Sequence, residues 1–433
     1  MKMDKERLIR KRIMERYIKR MWDHFWRNIR LFIKWMLISC ITGLVVGAYS
    51  SLFAKCMIFV TDFRESNGWI IYFLPLAGCF IVSMYKIFKY TNDKGTNLVL
   101  STIHAQDEVP FKMAPLIFVA TVTTHLFGGS AGREGAALQM GGSIGNQLGR
   151  WLRLDENDKR VMVMCGMSAA FSALFGTPMA AAIFAMEVVS VGVMYYAALV
   201  PCVFASLIAT KFAIDLGIRP ESFHIMDVPD MTAISACQVI ILAMACAGIS
   251  VLFCVILHGT GDLYRKYIKN PYIRIVFAGC LIIGLTFLFG RDYLGAGIGV
   301  INKAVSHGEV FPAAFILKMI FTAITLEAGF KGGEIVPSFF VGATFGCLFG
   351  NFIGLSPSLC AAAGMIAVFC GVTNCPITSI LISFELFGFE GVPYFLIAAS
   401  VGYLLSGYYG LYHDQTIVYS KYKTQYVNKK TRD

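Results

Sequence analysis

Charge is what this sequence has least of. Only 15% of its 433 residues are Asp, Glu, Lys or Arg, 57% are hydrophobic, and the mean hydropathy is +0.64. A soluble chain of this length needs far more charge to cover its surface, so that class is excluded and a polytopic membrane protein remains. No C-x-x-C pair occurs among the 13 cysteines, which are scattered through apolar segments. They read as small core residues, with neither a metal site nor a disulfide framework. H-E-x-x-H, G-x-S-x-G and Walker A patterns are also missing. Nothing therefore resembles a hydrolytic site, and the chain is expected to be no enzyme and to need no cofactor.

Long apolar segments are there instead, recurring from Leu31 almost to Leu411. Many approach the ~20 residues a spanning helix needs, and the shorter ones suggest re-entrant or broken helices. The expected organisation is a basic N-terminal arm over 1–30, one transmembrane domain over 31–411, and a C-terminal segment over 412–433. The arm carries Lys5, Arg7, Arg10, Lys11, Arg12, Arg16, Lys19 and Arg20, and is too long and too charged for a signal peptide. Much of the net charge of +11 lies there, in the loops Arg150–Arg153 and Arg265–Lys269, and in the Lys421–Arg432 tail. The positive-inside rule places these on the cytoplasmic side together with both termini. Nucleic-acid binding by the arm is the rival reading, but topology already accounts for the charge, so the expected partner is the lipid bilayer and no nucleic acid.

The chain repeats itself. Gly166-Met-Ser-Ala-Ala-Phe171, Pro178 and Glu187 recur as Gly364-Met-Ile-Ala-Val-Phe369, Pro376 and Glu385, at a constant offset of 198 residues (166 to 364, 178 to 376, 187 to 385). The glycine-rich run Gly128–Asn146 has its echo in Gly332–Ala343, with an acid in each, Glu134 and Glu334. Halves of about 31–215 and 232–411 follow, joined by a hinge-like segment with Arg219, Pro220, Glu221, Pro229 and Asp230. Two related halves with broken helices at matching places point to a transporter whose site lies at their interface.

Glu134 is the sharpest candidate for chemistry. A carboxylate between apolar segments costs roughly 2.5–3.5 kcal/mol to insert, so it is rarely idle. Away from water a carboxyl can exchange its proton near ordinary pH, which would make Glu134 a gate that holds an anion site when charged and leaves it when neutral. The alternative is a local ion pair with Arg133. Glu334 reads equally as a transport acid or as a cap of the helix that begins near Ile335. Glu187 and Glu385, a repeat pair at helix ends, read as structural. Thr96 and Asn97, after Asp93, Lys94 and Gly95, sit in an N-cap context where a hydroxyl could instead donate to an anion. Tyr419 could present a phenol near the cytoplasmic mouth, or serve as an interfacial anchor.

Taken together these pieces resemble the CLC family of anion channels and anion/proton antiporters, over most of the chain. Gly132-Arg-Glu-Gly135 resembles its G-R-E-G-P motif, whose glutamate is the gate. Gly166-Met-Ser-Ala-Ala-Phe-Ser-Ala-Leu-Phe-Gly-Thr-Pro178 is similar to its G-x-x-A-A-x-F-x-x-P-L-A-G segment, and Gly332-Gly-Glu-Ile-Val-Pro337 to the G-G-x-F-x-P loop at the anion site. Departures point within the family. Gly95-Thr-Asn-Leu-Val99 stands for the chloride branch's G-S-G-I-P, Ala136 for the proline after G-R-E-G, Glu334 for an apolar residue, and Val188 for the internal proton-relay acid. That combination resembles the bacterial fluoride/proton antiporter branch, CLC-F, as does the short tail with no regulatory domain after it.

The resemblance implies an all-α polytopic fold of two inverted halves with tilted and broken helices, a homodimer, and a multi-pass place in a bacterial plasma membrane. It implies fluoride export coupled to protons, with a chloride/proton antiporter or a passive anion channel as the alternative. The implied site is the gate Glu134, with anion contacts from Gly132, Arg133, Gly135, Ala136, Thr96, Asn97, Glu334, Ile335, Val336 and the tyrosine expected at 419, and no metal.

Overall fold

In a computed structural model the protein is described over residues 2–90, 95–105 and 109–431. Asp93, Lys94 and Arg432 lie outside the described residues, as do the side chains of Lys5, Arg7, Arg10, Lys11 and Arg12.

Sixteen α-helices are present among the described residues, and they fall into two sets of eight. The first half holds α1 (Lys2–Ser66), α2 (Leu74–Ile87), α3 (Thr96–Ala105), α4 (Met113–Leu126), α5 (Glu134–Trp151), α6 (Glu156–Phe175), α7 (Pro178–Glu187) and α8 (Leu199–Asp215). The second holds α9 (Ala233–Tyr267), α10 (Pro271–Phe289), α11 (Ile298–His307), α12 (Ala314–Ala328), α13 (Ile335–Ile353), α14 (Pro357–Thr373), α15 (Pro376–Phe387) and α16 (Val392–Leu405). Each helix of one set has its counterpart in the other, in the same order. Among the described residues six helices are long and apolar enough to cross a membrane, while α4, α7, α14, α15 and α16 are apolar but shorter. Large apolar side chains such as Ile87, Phe287, Leu288 and Phe352 stand exposed on the surface, as a face turned to lipid requires. The protein is a multi-pass membrane protein of the all-α type.

Breaks in the helices follow from local sequence in both halves. Gly176 ends α6 with a φ of 73°, and two residues later Pro178 starts α7. Asn374 ends α14 with a φ of 60°, and Pro376 starts α15. A left-handed residue closes one helix, and a proline, which needs no N–H partner at a helix start, opens the next. The most extensive helix pairs are α5 with α6 and α13 with α14. Both cross where glycines meet: Gly141 and Gly145 against Gly166, and Gly342 and Gly346 against Gly364. A Cβ at these places would strike the backbone of the partner helix, so the small residues set the separation, as in membrane helix pairs generally.

The two halves also cap each other. Glu187, at the end of α7, accepts from the Ile377 N–H (3.0 Å), the Thr378 N–H (2.8 Å) and the Thr378 hydroxyl (2.6 Å) at the start of α15. Glu385, in α15, accepts from the Met179 and Ala180 N–H groups (2.8 and 2.9 Å) at the start of α7. Each carboxylate meets the positive end of the other half's short helix.

Three features go beyond an all-helical expectation of separate pieces. The arm and the first apolar run form one continuous helix of 65 residues, α1, which at 1.5 Å per residue is roughly 100 Å long, several times the hydrocarbon core. The C-terminal segment forms a small sheet, with β1 (Ser190–Val191) parallel to β2 (Thr416–Tyr419) and β2 antiparallel to β3 (Tyr426–Lys430). The segment joining the halves, 216–232, is less a hinge than a strap. It donates from Glu221 N–H to the Phe175 carbonyl (2.9 Å), from Phe223 N–H to the Leu386 carbonyl (2.8 Å) and from Met226 N–H to Ser358 Oγ (2.9 Å), so it is tied to both halves.

Replacing Glu187 by Ala leaves buried donors of α15 without an acceptor, a cost of about 3 kcal/mol at ~1–3 kcal/mol for each stranded group. Thermal unfolding in detergent should show a clear fall in Tm for Glu187→Ala and a smaller one for Glu187→Gln; equal stability of all three proteins would contradict the capping role.

Candidate functional site

The two halves touch backbone to backbone where their glycine loops meet. Gly132 N–H donates to the Gly333 carbonyl (2.7 Å) and Gly333 N–H donates to the Gly132 carbonyl (2.8 Å), an isolated antiparallel bridge. Glycine is needed on both sides: a Cβ on Gly333 would run into the Gly135 N–H, and one on Gly132 would lie 2.7 Å from Glu134 Oε2 and 3.1 Å from the Gly333 carbonyl. Immediately beyond the bridge α5 starts at Glu134 and α13 at Ile335. Each helix start carries roughly half a positive charge and N–H groups with no intrahelical partner. Two such ends meeting inside an apolar protein form a site for an anion.

A third helix start joins them. The amide of Gln139, on α5, donates to Thr96 Oγ1 (3.3 Å) at the start of α3. A Cβ placed on Gly135 would sit 3.1 Å from Thr96 Oγ1, 3.3 Å from Glu334 Oε2 and 2.8 Å from the Gly333 Cα. Thr96, Glu334 and both glycine loops therefore crowd around one point. Gly135, Ala136, Ile335 and Val336 are buried there, with the two apolar side chains of the α13 loop packed into the core. Among the described residues, three side-chain atoms at this centre are buried and make no hydrogen bond: Gln139 Oε1, Glu334 Oε2 and the Tyr412 hydroxyl. Leaving such a group unmet costs about 1–3 kcal/mol, so a cluster of them in a native fold asks for a functional reason. Tyr412 interacts electrostatically with both Glu134 and Glu334.

Glu134 is buried, and its carboxylate is turned onto the preceding residue. Oε2 accepts from the Arg133 N–H (2.9 Å) and Oε1 from Arg133 Nε (3.3 Å). The far end of the Arg133 guanidinium donates to Glu221 Oε1 on the strap (2.5 Å). Arg133 also lines a cavity of about 480 Å³ with Arg64, His125, Arg291 and Lys303. His125 donates from Nε2 to the Gly132 carbonyl (3.3 Å), and Arg64 donates to the His125 carbonyl (3.0 Å). Lys318, fully buried, donates to the Tyr293 and Gly295 carbonyls (3.1 and 2.6 Å). Basic groups thus stand on the Arg133 side of the bridge, and Asp62, Glu65 and Asp292 line the same cavity among them.

Two expected site residues are placed elsewhere. Tyr419 lies on β2, is 48% exposed and packs edge-on against Tyr426, its partner on β3. The buried tyrosine at the centre is Tyr412, seven positions earlier in the chain (412 to 419). The strand pairing is the physical reason, since it holds Tyr419 at the surface while the loop leaving α16 returns Tyr412 to the core. Asn97 accepts from the Asp414 N–H (3.1 Å), tying α3 to the C-terminal segment rather than facing the bridge. Gln139 was missed although it lies in the same glycine-rich run as Glu134. Tyr412 was missed because Tyr403, Tyr408, Tyr409 and Tyr412 follow one another around the end of α16 without a periodic cue. Glu221 was seen only as part of a connecting segment.

The chain is similar to known proteins. A family model described as voltage gated chloride channel matches residues 76–407. A chloride/fluoride channel protein of Pseudomonas syringae pv. tomato is 35% identical over 397 residues, 90% of this chain and 88% of that one. An H(+)/Cl(-) exchange transporter of Vibrio cholerae is 24% identical over 384 residues, 81% of each. The crystal structure of a CLC-type fluoride/proton antiporter superposes with a TM-score of 0.85 at 32% identity, covering 88% of this chain and 98% of that one.

Because the Gly333 backbone would lie only 2.8 Å from a Cβ on Gly135, with Thr96 Oγ1 and Glu334 Oε2 close behind, Gly135→Ala should force the halves apart at a cost of about 1–3 kcal/mol. Gly284→Ala, with nothing within 4 Å of the added atom, is the control. Thermal unfolding should show a lowered Tm for the first and none for the second; an unshifted Gly135→Ala protein would contradict the close approach.

Proposed function

The chain belongs to the voltage gated chloride channel family, and within it we propose a fluoride/proton antiporter that exports fluoride from the cytoplasm as protons enter. The observation that carries this reading is the convergence of Glu134, Glu334, Thr96 and Tyr412 on the Gly132–Gly333 bridge, with buried polar atoms of Glu334, Gln139 and Tyr412 left unmet. Support comes from a relative named as a chloride/fluoride channel protein and from a fluoride/proton antiporter of matching fold.

Fluoride is small and holds its water tightly, so stripping that water demands short, strong donors in return. The helix starts of α5 and α13 supply N–H groups, and Tyr412 supplies a phenol O–H. Thr96 already accepts from Gln139, which leaves its own proton free for an anion. Glu334, when protonated, adds a further donor. A carboxylate and a fluoride ion compete for the same positive centre. Charged, Glu134 occupies it or stays on Arg133; carrying a proton, it releases both and lets the anion take its place. Proton and fluoride then alternate at one residue and cross in opposite directions, without an internal relay acid at Val188.

The remaining assignments rest on the same reading. The protein sits in a bacterial plasma membrane with the basic arm and both termini in the cytoplasm, because Lys and Arg concentrate there. By family habit it forms a homodimer with one pathway per subunit. The cavity beside Arg133 then opens on the outer side, since Arg64 lies some thirty residues of α1 beyond Lys34, roughly 45 Å along the helix.

The direct test is fluoride and proton flux from liposomes holding purified protein, with chloride as competitor. Fluoride efflux matched by proton uptake and unaffected by chloride is expected; chloride moving equally well would overturn the substrate, and fluoride moving without protons would overturn the coupling. Glu134→Gln should abolish coupled exchange. Tyr412→Phe removes one donor to an ion, worth about 1.5–3 kcal/mol, so half-saturating fluoride should rise about tenfold or more, while Tyr419→Phe stays at the wild-type value. The reverse order would return the central role to Tyr419.

A further inference from the structure

Arg133 stands between two carboxylates, one of which the gate reading leaves unused. Its backbone N–H and Nε bind Glu134, and the far end of its guanidinium binds Glu221. Glu221 is not a loose surface acid. Its own N–H is bonded to the Phe175 carbonyl at the end of α6, and the neighbouring Pro220 packs against Gly176, where a Cβ could not fit. The strap's backbone is therefore held while the side chain reaches across to Arg133. A carboxylate gains nothing from the C-terminal end of a helix such as α6, whose dipole is negative there. Its partner explains its place: Arg133 is 15% exposed and Glu221 21%, so the pair is largely withdrawn from water and only weakly screened.

The other charged or titratable groups facing this end of Glu134 are Tyr412 and, beyond it, Glu334 across the bridge, with His125 on α4. Arg64 on α1 and Lys318 on α12 stand behind His125. Among the described residues none of these hydrogen-bonds to the Glu134 carboxylate; Arg133 does, and Glu221 competes for it.

We propose that Glu221 is a positioning residue for the gate: by drawing Arg133 toward the strap it withholds part of the guanidinium from Glu134, and so sets how readily Glu134 exchanges its bond to Arg133 for a proton. The strap that joins the two halves thereby tunes proton coupling from outside the anion pathway. This rests on the antiport reading, with Glu134 as gate.

The sign follows from charge. Without the Glu221 carboxylate, Arg133 turns wholly to Glu134 and a neighbouring negative charge disappears; both favour the ionised gate, so a proton is taken up only at lower pH. In reconstituted full-length protein, the pH profile of coupled exchange should move toward acid in Glu221→Gln by about one unit, tenfold in proton concentration. Glu221→Asp, which keeps the charge but shortens the reach, should move it less. Arg133→Gln should move it toward alkaline pH. A Glu221→Gln profile superposable on wild type overturns the proposal, as does equal loss of flux in the Gln and Asp variants with no shift. If the Gln variant does not fold, the Asp variant decides, an acid shift supporting the proposal and an unshifted profile overturning it. Wild-type protein without proton-coupled fluoride flux would instead refute the antiport reading itself, so the two failures are distinguishable.

Discussion

The structure depends on two backbone hydrogen bonds between Gly132 and Gly333. Irregular backbone inside a bilayer must find partners within the protein, because lipid offers none. Here each half satisfies the loop of the other, and the geometry works only without side chains at the crossing. The same contact holds the starts of α5 and α13 side by side. Two positive helix ends would repel unless something negative stood between or beside them. A place suited to an anion, with Glu134 and Glu334 beside it, thus follows from how the halves are joined.

The rest of the fold reinforces that junction. Glu187 and Glu385 cap each other's half, glycines let α5 cross α6 and α13 cross α14 at close range, and the strap over 216–232 binds both halves. Charge is distributed with the same economy. Glu134 and Glu187, both buried, face a basic group and a helix start, while Arg64, Arg133, Arg291 and Lys303 line the adjoining cavity together with Asp62, Glu65 and Asp292. In a region of low dielectric such charges act at longer range than they would in water. An anion approaching Arg133 therefore enters a field shaped by residues it never touches.

Much of this was legible in the residues. The repeat offset announced two halves, Pro178 and Pro376 at matching places marked broken helices, and an acid in each glycine loop marked the junction. What was not legible depended on long-range return of the chain. Tyr419 and Tyr412 are both near the C-terminus, and only the pairing of β2 with β3 decides which is drawn inside. Asn97 was expected among the anion contacts, and its partner, the Asp414 N–H, lies far away in sequence. Glu221 looked like linker because Arg133, to which it is bound, belongs to another element. Local pattern finds helix starts and stops, and tertiary closure selects which polar groups meet.

The central claim is that one carboxylate exchanges protons for fluoride across the junction, and an uphill measurement tests it most directly. Vesicles holding the protein are given equal fluoride on both sides and an acidic exterior, with membrane potential clamped at zero. Antiport predicts that entering protons drive fluoride out, so that internal fluoride falls below external. Passive permeation of hydrogen fluoride, seen in vesicles without protein, works in the other direction and raises internal fluoride. Fluoride leaving against its gradient in wild-type vesicles, and not in Glu134→Gln vesicles, is the predicted result; internal fluoride that rises or stays level in both would contradict the account.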